Sequence, residues 1–123
     1  RWARMDAEGA MQCYSPDVTV EGDSAPRNFA QYRRSWIDFN NTAASIRVTD
    51  FREDYLILAK DLVIVTWVGK SESILRSGDT LTYDVESYTD VYQKVAGQWK
   101  VVYQTQWGTP VLHRATATRR PRR

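Results

Sequence analysis

Residues 88–102, Tyr88-Thr89-Asp90-Val91-Tyr92-Gln93-Lys94-Val95-Ala96-Gly97-Gln98-Trp99-Lys100-Val101-Val102, decide the fold. Two runs rich in β-branched and aromatic residues flank Ala96-Gly97-Gln98, a tight-turn signal. The stretch reads as a hairpin. Its first strand starts back at Thr80 and its second runs from Trp99 to Trp107. Successive side chains on a strand point to opposite faces. One face of the first strand then carries Asp84, Glu86, Tyr88, Asp90 and Tyr92. The other carries Leu81, Tyr83, Val85, Ser87, Thr89 and Val91.

Upstream, Ser77-Gly78-Asp79 marks a second turn, with a strand over Leu62 to Leu75 before it. Lys60-Asp61 connects that strand to a β-rich run from Ile46 to Ala59. Three hairpin turns in succession predict a four-stranded antiparallel meander. Strands longer than the usual ~5–6 residues make a sheet that curls as it twists.

Before Ile46 the period changes to that of a helix. Phe29, Tyr32, Trp36 and Phe39 recur at spacings of 3, 4 and 3, which places four aromatics on one helical face. Asn28 is positioned to cap that helix, and Asn40-Asn41-Thr42 to stop it. Asp6 reads as the cap of an earlier helix, with Glu8 in its first turn. Met11, Cys13 and Tyr14 continue its apolar stripe until Pro16. Val18 to Glu21 reads as a short strand, and Gly22 to Pro26 as a loop. Helices first and a meander afterwards is an α+β pattern.

The 123 residues fit one domain, and five Trp, seven Tyr and three Phe make it rich in aromatics. Five arginines lie in the last ten residues; without them the net charge of +2 becomes −3. Residues 1–110 are expected to form a mildly acidic pocket domain, and 111–123 a flexible basic tail. A single cysteine, Cys13, excludes an internal disulfide, and a single histidine, His113, excludes a multi-histidine metal site. No glycine loop that would cradle a phosphate is present, so no cofactor is expected. No apolar run reaches the ~20 residues of a membrane span. No signal peptide is evident, so a cytoplasmic location is expected. The chain starts at Arg1, which leaves room for upstream residues. The basic tail comes with no nucleic-acid motif and would give only weak, salt-sensitive contacts.

The order of elements resembles the nuclear-transport-factor-2-like superfamily, which includes ketosteroid isomerases, SnoaL-type polyketide cyclases and limonene-epoxide hydrolases. The residues that carry the likeness are the 88–102 hairpin, "T-D-V-Y" leading to "G-x-W-K-V-V", and the 6–18 passage, "D-x-x-x-x-x-x-x-Y-x-x-D-V". It covers about residues 6 to 108. The resemblance implies a curved sheet wrapped around helices and a pocket for a small organic ligand. It also implies a homodimer through the outer sheet face, here Trp99, Val101 and Tyr103.

In that frame Asp90 aligns with the isomerases' oxyanion-hole acid, a carboxyl kept protonated by an apolar site. Glu86 stands on the same strand face. The position of the isomerase base falls on Gly22, with Glu21 and Asp23 on either side. The hydrolases' Asp-Arg-Asp group would need Arg76, Asp84 and Asp90. Tyr14, Tyr32 and Trp36 lie on inward helix faces and serve as core and pocket wall together. Val102, Gln104 and Gln106 face the pocket by family parity. A bulge in the last strand would instead turn Tyr103 and Trp107 inward. The candidate site is therefore Asp90 and Glu86 as proton carriers. Tyr14, Tyr32, Trp36, Trp67, Tyr88, Tyr92, Gln104, Gln106 and Trp107 are the candidate ligand contacts, with no metal. The other reading is an association module of the same fold without catalysis.

Overall fold

A computed structural model describes residues 7–23 and 25–115. Its elements are α1 (Ala7–Met11), β1 (Tyr14–Glu21), α2 (Phe29–Thr42), β2 (Ala43–Ala59), β3 (Leu62–Leu75), β4 (Thr80–Val95) and β5 (Gln98–His113). The strands form one sheet in the order β1-β5-β4-β3-β2. β2 to β5 are the expected antiparallel meander, and β1 adds to the edge of β5 in parallel.

Local chemistry accounts for the boundaries. Asn28 caps α2: its side chain accepts from Gln31 N–H, and the Gln31 side chain accepts from Asn28 N–H, both at 2.9 Å. The turn between β4 and β5 has Ala96 at φ 52° and Gly97 at φ 80°. Two central residues with positive φ, between paired Val95 and Gln98, make the mirror-image turn whose twist suits a hairpin.

Three sequence expectations need correction. The first helix does not continue to Pro16; α1 stops at Met11, and Tyr14 already starts β1. Proline is tolerated there because β1 lies at the sheet edge, and the register shifts between Tyr14 and Thr19. The last strand does not end at Trp107. It runs to His113, because residues 110–113 pair with the start of β4. Val111, Leu112 and His113, expected in the tail, are thus in the sheet. Beyond the strand, Asp79 anchors Ala115, accepting from its N–H at 2.8 Å. The Asp6 cap and the last arginines of the expected tail lie outside the described residues.

Strict alternation also fails, in two places. The β4–β5 register shifts between Tyr83 and Glu86 and again between Val91 and Tyr92. The first shift puts Leu81 and Tyr83 on the same face as Glu86, Tyr88, Asp90 and Tyr92, and leaves Asp84 exposed. The second spans Val102 and puts Val101 on the inner face along with Gln104. Val101, expected on the outer face, is 0% exposed and packs with Met11, Tyr14, Val18, Val20 and Tyr32 as the core. That core fills one end of the concave side, between the helices and β1 and β5.

Candidate functional site

Beyond the core, the concave side holds a hollow of about 400 Å³. This lies in the range of small-molecule sites. Its floor is the inner face of β2 to β5 and its wall is α2. Apart from Trp107, all the residues singled out for this site line it: Asp90, Glu86, Tyr14, Tyr32, Trp36, Trp67, Tyr88, Tyr92, Gln104 and Gln106. Trp107 does not. It pairs with Ser87 on the outer face and is 60% exposed.

One end of the hollow is knit by hydrogen bonds. Arg27 Nη2 donates to Gln106 Oε1 at 3.0 Å. Gln106 Nε2 donates to Gln104 Oε1 at 2.8 Å and to Tyr32 Oη at 3.0 Å. Gln104 Nε2 donates to Tyr14 Oη at 2.9 Å and to Asp90 Oδ1 at 2.5 Å. Donors thus point stepwise from a cation toward a carboxylate oxygen, with both glutamines as links. Arg27 also stacks over Tyr32, 5.1 Å from the ring centre, and Nη1 donates to Ser35 Oγ. Burial pushes the Tyr14 phenol well above its ordinary value of 10.0, and the Tyr32 and Asp90 charges push the same way. Burial raises Tyr32 as well, against the lowering effect of the neighbouring Tyr14 and Trp36 side chains. Both phenols therefore stay neutral and keep a hydrogen to donate.

Farther along β4, Glu86 is 8% exposed. Tyr88 Oη donates to its Oε2 at 2.7 Å, while Oε1 is buried without a partner among the described residues. Burial pushes Tyr88 well above 10.0, and the neighbouring Glu86 charge adds to it. Tyr83 is raised by burial, then by Glu86 and Asp23. Trp67 meets Tyr88 edge-on, with ring centres 5.2 Å apart.

Other candidates fall away from the hollow. Glu21 accepts the Tyr103 hydroxyl at 2.5 Å, and Asp23 is exposed. Arg76 donates to Asn40 O, and neither it nor Asp84 lines the hollow. His113 is exposed and bonded to Thr82. Trp99, expected on the outer face, stands on the concave side with Val63, Val65 and Tyr92. Sequence reading missed Arg27, Tyr83, Ser71 and Ser73 as lining residues. Arg27 was legible only as the residue before a helix cap. Tyr83 was assigned outward by an alternation that the bulge breaks. Among the described residues no cluster of His, Cys, Asp and Glu has metal-site geometry, and no helix is long and apolar enough to cross a membrane.

No protein-family model matches this chain, and no curated protein sequence does. Solved structures do. A nuclear-transport-factor-2-like superfamily protein from Salmonella enterica superposes with a TM-score of 0.73 at 14% identity, over 86% of this chain and 79% of that one. This chain has the nuclear-transport-factor-2-like fold. A ketosteroid isomerase-like protein from Erwinia carotovora atroseptica shares the fold at a TM-score of 0.73 and 12% identity, over 87% and 84% of the two chains. A Xanthomonas campestris protein named for a calcium/calmodulin-dependent protein kinase II association domain does so at 0.71 and 17%, over 87% and 76%. Identities this low carry the fold and leave the function to the site.

Proposed function

We propose that this chain is a small-molecule pocket protein that binds a small, largely apolar organic ligand, or converts it by acid–base chemistry without a cofactor. The observation that carries the reading is the Asp90 carboxyl, which opens on an aromatic-walled hollow and is held by Gln104. A carboxyl fixed in such a place is suited to pass a proton to or from a ligand atom set beside it. Gln104, which also bonds Tyr14, orients it, and Glu86, backed by Tyr88, supplies a second proton carrier four residues along β4. Four residues of strand span about 13 Å, so the two carboxyls serve different parts of a ligand. Trp36, Trp67 and Tyr32 hold its body. The name of the Erwinia neighbour points to the same class of chemistry. A cytoplasmic site of action suits the unpaired thiol of Cys13.

The test is proton abstraction itself. Incubated with 2-tetralone in heavy water, the protein should speed deuterium uptake beside the carbonyl, followed by NMR. Asp90→Asn should reduce the rate at least tenfold. Binding of the ketone without any exchange would restrict the function to binding. Neither binding nor exchange would defeat the pocket reading.

A second reading has its own support. Leu56, Ile64, Val91 and Tyr103 are successive cross-strand neighbours and form an apolar row across four strands of the outer face. Trp107 and Val85 are exposed beyond it. Such a face fits a second copy of the chain, and the Xanthomonas neighbour is named for association. A homodimer would use Leu56, Tyr103 and Trp107, with Val101 and Trp99 excluded by their placement. Light scattering should then find a dimer that a Leu56→Glu, Trp107→Glu pair converts to monomer. A monomeric wild type would remove this reading.

A further inference from the structure

We infer that the ligand carries a protonated amine, which Glu86 receives among aromatic faces. The inference rests on the small-molecule reading above and names the chemistry of that ligand. Three observations converge on Glu86. The first is its own state: a nine-tenths buried carboxyl with one oxygen bonded to Tyr88 and the other unpartnered among the described residues. An unsatisfied acceptor in such a place costs stability, which a ligand donor would recover.

The second is the pair of cross-strand neighbours. Glu86 stands opposite Gly69 on β3 and Gly108 on β5. Neither contributes a side chain to cover it. Rings occupy that room instead. A Cβ at Gly69 would lie 3.2 Å from the Trp67 ring, and one at Gly108 would lie 2.9 Å from the Tyr83 ring. Directly opposed Cβ positions are about 5 Å apart, so both rings stand close to the carboxyl, with Tyr88 as the third. Aromatic faces around a carboxylate attract a cation and reject an anion.

The third is the charge of the walls. The described lining carries Glu53, Glu86 and Asp90 against one cation, Arg27. Arg27 is engaged at the other end with Gln106, Ser35 and the Tyr32 ring. No described lysine, arginine or histidine forms an ion pair with Glu86. The cation that the site lacks is therefore one the ligand can bring. With a hollow of about 400 Å³, the class is a primary or secondary amine attached to one or two rings.

Three probes of one shape test it: 2-phenylethylamine, 2-phenylethanol and phenylacetate, titrated at pH 7 with tryptophan fluorescence and calorimetry as readouts. The amine should bind at least tenfold tighter than the alcohol, and phenylacetate weakest. In Glu86→Gln, checked for folding by circular dichroism, the amine-to-alcohol ratio should fall to near one. Equal binding of amine and alcohol by the wild type would overturn the amine inference and leave the pocket reading in place. So would a ratio unchanged in Glu86→Gln. Binding of none of the three would overturn both. The wild-type ratio decides the matter even where the variant fails to fold.

Discussion

Asp90 and Glu86 share a strand and a hollow, and their surroundings are opposite. Asp90 ends a chain of donors that begins at Arg27 and passes through Gln106 and Gln104. Glu86 has one phenol, two glycines beside it and an oxygen without a partner among the described residues. At the first end the side chains bond one another and set the Asp90 carboxyl in place. The second keeps an acceptor that the proposed amine would fill. Buried polar groups are nearly always paired, so an exception in a hollow is informative where the same exception in a core would be a defect.

The sharpest way to break this contrast is at the closed end. Gln104→Leu strips partners from Asp90, Tyr14 and Gln106 at once and should cost about 3 kcal/mol of stability, measured by urea unfolding. Alkali should act on both ends through the phenols. Tyr14, Tyr32 and Tyr88 all have folded values above the ordinary 10.0. The unfolded chain therefore loses these protons first. Their stabilising effect is whole below pH ~10 and declines as pH rises past it toward the folded values. Absorbance at 295 nm should show these tyrosines ionising together with unfolding, and unfolding midpoints should fall between pH 9 and 11. Free ionisation in a fully folded protein would contradict their burial.

At the open end the effects on stability should be smaller. Gly108→Ala drives a methyl into the Tyr83 ring and should cost about 1–2 kcal/mol, with a lower amine-to-alcohol binding ratio as the ring moves. Glu86→Gln keeps an acceptor for Tyr88 and should shift stability by less than about 1 kcal/mol. A large loss there would place Glu86 among the structural groups, beside Gln104.

The meander and the capped helix were legible because their signals are local. Asn28 with Gln31, the aromatic face of α2, and Ala96-Gly97 each dictate their own conformation. Alternation grouped Asp90 with Tyr88 on one face, and the family resemblance turned that face and Gln104 toward the concave side. The two irregularities in the β4–β5 pairing could not be read. Each changes the facing of every residue beyond it, and nothing in the side-chain pattern announces a bulge. That is why alternation turns Val101 and Tyr83 outward. Trp107 entered as a ligand contact only through the alternative of a bulge that would turn it inward, and the structure leaves it on the outer face. Arg27 was hidden for another reason. Its partners Gln106 and Ser35 are remote in sequence, so only the folded chain brings them together. The glycines flanking Glu86 belong to the same class, since neither is near it in the chain.

The most direct test is an NMR titration of the ¹⁵N-labelled protein with 2-tetralone. Saturable shifts are expected at the indole N–H groups of Trp36 and Trp67 and at the side-chain amides of Gln104 and Gln106, with Trp107 unmoved. Shifts confined to Trp107, or no saturable change at any of these groups, would contradict a ligand site on the concave face.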